Sequence, residues 1–209
     1  MQVSSADRVR PVASLQEFFR DSVSQAMQRQ GVRAEDHTAH YVVNLLTLFA
    51  RSEALYEKTQ AGIGLKPLAL MLAEAAETPN PQERVLVLQR IGDVSLFIAG
   101  FFSESLARHV VDVDYYVHMG GGAYNSLSQQ VRGTPRGQAF GTVFTELAQK
   151  FQNFVDVLND IRDEAKSNDD QDVLRLYEIW LRTGSKRAER LLRSLGVEPN
   201  SGLDTQPRQ

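Results

Sequence analysis

Apolar residues recur every three to four positions along most of this chain, and that period is the signature of helices with one buried face. Leu15, Phe18, Phe19, Val23, Ala26 and Met27 form one stripe, opened by a capping box at Ser14 and Glu17 and closed by Gly31. Over about 35–58 two adjacent seams run side by side. One holds Val42, Leu46, Phe49, Glu53 and Tyr56, the other Tyr41, Leu45, Leu48, Ser52 and Leu55. Two seams make a face wide enough for two neighbours. A Gly62/Gly64 loop and a short helix over 66–77 follow.

The sequence Thr78-Pro79-Asn80-Pro81 is a sharp break. Asn80 suits an N-cap, Pro81 the first helical position, and Glu83 completes the box. The helix this predicts, 81–109, is apolar all round between Val94 and Phe102, so it belongs at the centre of a bundle. A fifth helix over 113–131 contains Gly120, Gly121 and Gly122, each costing roughly 1 kcal/mol relative to Ala. Thr134 and Pro135 start the next, 136–166, where Phe140, Phe144, Leu147, Phe151, Phe154, Leu158 and Ile161 keep a four-three spacing. Short helices over 172–182 and 185–195 complete the pattern, and no strand alternation appears. The fold class expected is all-α: a bundle of seven to eight helices around a central buried helix. It forms one domain over 14–196, between disordered segments at 1–13 and 197–209.

Composition narrows the chemistry. There is no cysteine, which removes disulfides, thiol nucleophiles and Cys-metal sites and fits a cytoplasmic protein. A net charge of −3 gives no general attraction to nucleic acid or to an anionic membrane. The longest apolar run, 94–102, is too short to cross a bilayer. No nucleotide-binding or catalytic motif stands out.

The pattern Arg90-Ile91-Gly92-Asp93-Val94-Ser95-Leu96-Phe97 through Gly100-Phe101-Phe102, then Tyr115-Tyr116 and Ala123-Tyr124, resembles one in uncharacterised bacterial all-helical proteins. The ending Trp180-Leu181-Arg182-Thr183-Gly184-Ser185 is also similar. Together they span the C-terminal two thirds. The resemblance implies a shared fold and no particular activity.

One polar cluster is a candidate site. Arg90 and Asp93 lie one turn apart on the central helix, at the edge of its fully apolar stretch, and can pair. A buried charge is costly unless other polar groups meet it. Glu53 on the second helix and the hydroxyls of Tyr115 and Tyr116 are the expected partners. In a ligand pocket between helices 81–109 and 113–131, Arg90 would hold an anionic group, Asp93 would orient Arg90, and Tyr116 or His118 would donate. The alternative, which weighs more, is a structural network fixing helix register.

Other groupings favour structural readings. His109, Asp112, Asp114 and His118 have metal-compatible chemistry, but the chain lacks the paired Glu-x-x-His of di-iron bundles. His37, His40 and Asp36 suit an exposed first turn. The triple glycine suits close helix packing, with Gly120 and Ala123 facing Gly92, Ser95 and Ala99. Arg132 and Arg136 suit an exposed basic turn rather than an anion site. Lys186, Arg187, Arg190 and Arg193 suit the solvated face of a docked helix.

These readings predict no metal, no cofactor and no catalytic residue. The expected function is a non-enzymatic helical interaction or regulatory protein, homodimeric or bound to another protein, with no membrane partner and nucleic acid disfavoured. The alternative is a small-molecule binder or enzyme using the pocket above.

Overall fold

The computed structural model describes residues 15–50, 55, 57–59, 62–103, 112–167, 180 and 185–194. Eight helices lie among them: α1 (Leu15–Gln30), α2 (Asp36–Phe49), α3 (Leu68–Glu77), α4 (Pro81–Phe101), α5 (Val113–Gln130), α6 (Pro135–Gln149), α7 (Phe151–Ser167) and α8 (Lys186–Ser194). The chain is an all-α bundle. The expected segments 1–13 and 197–209, the helix over 172–182 apart from Trp180, and the Ser14 cap lie outside the described residues.

Local chemistry sets the helix starts. At α4, Asn80 Oδ1 accepts from the backbone N–H of Gln82 at 2.9 Å, with Pro81 at the first helical position. Glu83 accepts from the Asn80 side-chain amide at 3.1 Å, so the box closes through the side chain. Asp112 caps α5 through the N–H of Tyr115, Thr134 caps α6 through that of Gly137, and Ser185 caps α8 through that of Ala188. Gly31, with φ of 65°, takes the left-handed conformation that ends α1. The N-terminus of α2 is capped from a distance: Glu146 of α6 accepts from the backbone N–H of Glu35 at 3.0 Å.

Helix α4 is the centre. It packs against α5, α3 and α7, and more lightly against α2. From Ile91 to Phe101 every residue except Asp93 is buried. Its first turns are more open, with Leu86 55% exposed. Helix α1 lies on α2 and α7, and α6 lies on α5 and α2. One continuous core joins side chains from α1 to α7.

Three expectations about elements are corrected. The second helix does not run to 58: it ends at Phe49, and residues 57–59 form strand β1 (Glu57–Thr59), antiparallel to β2 (Gly62–Gly64). Residues 51–54 and 56 of the expected span lie outside the described residues. The central helix stops at Phe101, and its cap residue Phe102 has φ −118° and ψ 16°. The 136–166 helix is two helices that meet at Lys150, whose φ of −111° leaves the helical range. There the ammonium of Lys150 donates to the carbonyl of Arg33 at 2.7 Å, and Phe151 reaches α5. The apolar spacing runs unbroken through this bend, so periodicity alone could not show it. Two seam residues also turn outward: Leu48 is 52% and Phe140 44% exposed.

Candidate functional site

The site is built where α2, α4, α5 and α6 meet. Asp93 projects from α4, and its Oδ1 accepts two tyrosine hydroxyls: Tyr41 of α2 at 2.7 Å and Tyr124 of α5 at 2.6 Å. The Tyr41 hydroxyl also accepts from Gln89 Nε2 at 2.7 Å. Gln89 in turn accepts through Oε1 from the guanidinium of Arg136, at the start of α6. Four helices are thereby joined by one polar chain, Arg136 to Gln89 to Tyr41 to Asp93 to Tyr124. Gln89 and Asp93 are one turn apart on α4, so one helix face serves both ends.

An aromatic floor supports this chain. Phe144 of α6 meets Tyr41 edge-on with centroids 5.7 Å apart and stacks with Tyr124 at 6.2 Å. Tyr124 is fully buried. Its ring lies directly on Gly92, where an added Cβ would stand 2.6 Å from Tyr124 Cε1. One turn along, Gly120 of α5 meets Ser95 of α4, where an added Cβ would stand 2.6 Å from the serine Cβ. This is the close approach expected of the small residues, and among the three consecutive glycines Gly120 carries it. Gly121 makes ordinary contacts and Gly122 faces open space.

Burial dominates the electrostatics. It pushes the Asp93 carboxyl up to about 6, although the Tyr124 and Tyr41 hydrogen bonds and the charges of Arg90 and Arg136 oppose the rise. Tyr41 and Tyr124 are raised far above the ordinary tyrosine range, first by burial and then by the Asp93 charge. Both therefore stay protonated and act as donors to the carboxyl.

The structure separates the sequence-predicted cluster. Arg90 turns toward α2 and the segment after it: Nη2 donates to the carbonyl of Leu55 at 2.8 Å, and the guanidinium lies 5.3 Å from the Phe49 ring centroid. Its charge reaches Asp93, but no ion pair joins the two among the described residues. Glu53 lies outside the described residues. Tyr115 and Tyr116 pack edge-on against each other at 5.5 Å, and burial raises the Tyr116 hydroxyl. Tyr116 precedes Tyr124 by eight positions, about 12 Å along the helix, so the expected tyrosines do not meet Asp93. His118 is exposed on the same helix. Among the described residues no three His, Asp or Glu side chains gather as a metal site. His109 lies outside them.

Sequence reasoning missed Tyr41, Gln89, Tyr124 and Arg136 as members. Signals for them were present. Tyr41 interrupts an aliphatic seam with a hydroxyl, Gln89 sits one turn before Asp93, and Tyr124 lies beside the glycine run. Arg136 is the basic residue at a helix start, read as an exposed turn; it is half-buried and engaged, while Arg132 is exposed. What the sequence did not contain was their meeting point.

Comparison with protein-family models, with curated proteins and with solved structures finds no match to this chain. Among the described residues no helix is long and apolar enough to cross a membrane.

Proposed function

We propose that this chain is a non-enzymatic helical interaction or regulatory protein that works in the cytoplasm as a homodimer. The observation that carries this reading is the outer face of α3. Leu68, Met71 and Ala75 of that helix are buried, whereas Leu70 and Leu72 are 59% and 45% exposed. Leu65, just before the helix, is 39% exposed. Leu70 and Leu72, two positions apart, lie on opposite sides of the buried stripe, and Leu70, the more exposed, stands on the outer face that another protein would cover.

The polar cluster supports the same reading. Asp93 is occupied by Tyr41 and Tyr124, and Arg90 by Leu55 and Phe49. Side chains spent on one another fix helix register and leave little to offer a substrate. A small-molecule pocket between α4 and α5 is the competing reading. Tyr124 on Gly92 and Gly120 on Ser95 weigh against it, because the helices touch at both positions. The cysteine-free composition suits a reducing compartment.

Sedimentation equilibrium across the micromolar range tests the proposal. The wild type is expected to dimerise, and Leu70→Glu with Leu72→Glu to give a monomer of unchanged helical circular dichroism. A wild type that stays monomeric into the high-micromolar range would overturn it.

A further inference from the structure

Resting on the interaction reading above, we infer that the partner of the α3 face is α3 of a second copy, laid antiparallel across a two-fold axis. The charge layout of the helix singles out this occupant. Lys66 stands just before the N-terminal end of α3 and Glu77 closes its C-terminal end. The apolar stripe between them runs through Leu70 and Ala73, both exposed. A two-fold axis crossing between Met71 and Leu72 sets Lys66 opposite the partner's Glu77, and Leu70 opposite the partner's Ala73. Each large side chain then faces a small one, and each cation an anion, twice over by symmetry.

A shallow, open depression of about 520 Å³ is lined by Leu70, Ala73, Glu74, Glu77, Thr78 and Pro79. The partner's Leu70 enters it beside Ala73. Glu77 is exposed and has no ion-pair partner among the described residues. Lys66 already pairs with Glu74 of its own chain, so in the dimer its ammonium would be shared between Glu74 and the partner's Glu77. In a parallel pairing Lys66 would face Lys66 and Glu77 would face Glu77, so like charges would oppose that arrangement. Ten residues span only about 15 Å, so the interface falls at the small end for stable complexes and a micromolar dimer is expected.

Charge reversal and cross-linking of the full chain test the register. Lys66→Glu or Glu77→Lys alone is expected to weaken dimerisation roughly tenfold in sedimentation equilibrium. The double variant, which exchanges the two charges, should return to within about threefold of wild type. Because the chain has no cysteine, Ala73→Cys introduces a unique thiol. A short bismaleimide should convert that variant to covalent dimer, while Gln152→Cys, exposed on α7, stays monomeric. The double charge variant remaining as weak as the singles, or Ala73→Cys cross-linking no faster than Gln152→Cys, would overturn the antiparallel pairing. If Leu70→Glu with Leu72→Glu still dissociates the dimer in that case, the interaction reading survives and only the register falls. A monomeric wild type removes both.

Discussion

The hydroxyl of Tyr124 lies 2.6 Å from Asp93 Oδ1, and the ring that carries it covers Gly92, the residue before Asp93 on α4. A packing requirement and a polar requirement are thus met by neighbouring residues. Only a residue without Cβ lets the ring lie this close to the helix backbone, and only that approach brings the hydroxyl to the carboxyl. Tyr41 reaches the same oxygen from α2, so one carboxylate fixes three helices against each other.

The glycines on α4 and α5 therefore differ in what they tolerate. Gly92→Ala and Gly120→Ala place a methyl into Tyr124 and into Ser95 and Phe151 respectively, and each should cost about 1–3 kcal/mol. Gly122→Ala meets nothing and should stabilise by roughly 0.5–1 kcal/mol through helix propensity. Urea unfolding of the three variants checks the opposite signs.

Removing one hydroxyl from the cluster should be felt through the other. Tyr124→Phe is expected to cost about 1–3 kcal/mol, because it leaves a partly buried, desolvated carboxyl short of one of its two donors. Tyr41→Phe also leaves Gln89 Nε2 without its acceptor. The two tyrosines share one oxygen, so their double-mutant cycle should show a coupling of at least about 0.5 kcal/mol. Additive losses in denaturant titration would mean that the two bonds act separately.

Asp93 gives stability a pH dependence of unusual sign. Its carboxyl titrates near 3.8 when unfolded and at about 6 when folded. Below the lower value both states hold the proton and the group contributes nothing. As pH rises through the window the unfolded state loses its proton first, so stability falls, and the whole loss is present above the upper value. The loss is of order 1–3 kcal/mol. Asp93→Asn cannot titrate there, so melting temperatures of the two proteins from about pH 4 to about pH 7 should diverge in favour of the variant. A gap that stays constant with pH would show that the carboxyl is not raised.

Arg29 tests how little a well-formed surface ion pair contributes. It bridges α1 to α7 through Asp160 at 2.7 Å and Glu164 at 2.5 Å, yet its side chain is 40% exposed. Arg29→Met should cost less than about 1 kcal/mol, and less still in high salt. Arg162, 10% exposed at its side chain and donating to Ser103 at 2.5 Å, should cost more and show little salt response when changed to Met. Thermal melts at low and high ionic strength separate the two cases.

The periodicity of the chain was sufficient to specify an all-helical bundle, most of its helix starts, and α4 as the central element. Those features depend on residues near one another in sequence: Asn80 and Pro81 at a cap, or the apolar run after Asp93, interrupted only by Ser95 and Gly100. Small residues on α4 and α5 likewise announced a close contact, because Gly and Ser leave a groove whatever fills it. Periodicity could not show the bend at Lys150, where an apolar spacing carries on through a change of backbone, nor the β1–β2 pairing, whose strands of three residues are too short to show an alternation. The partners of Asp93 were decided by tertiary structure alone. Tyr115 and Tyr116 were as plausible by composition as Tyr41 and Tyr124, and the choice depends on how far α5 slides along α4. That slide is set by which glycine receives which ring, a relation between distant residues that a linear pattern does not contain.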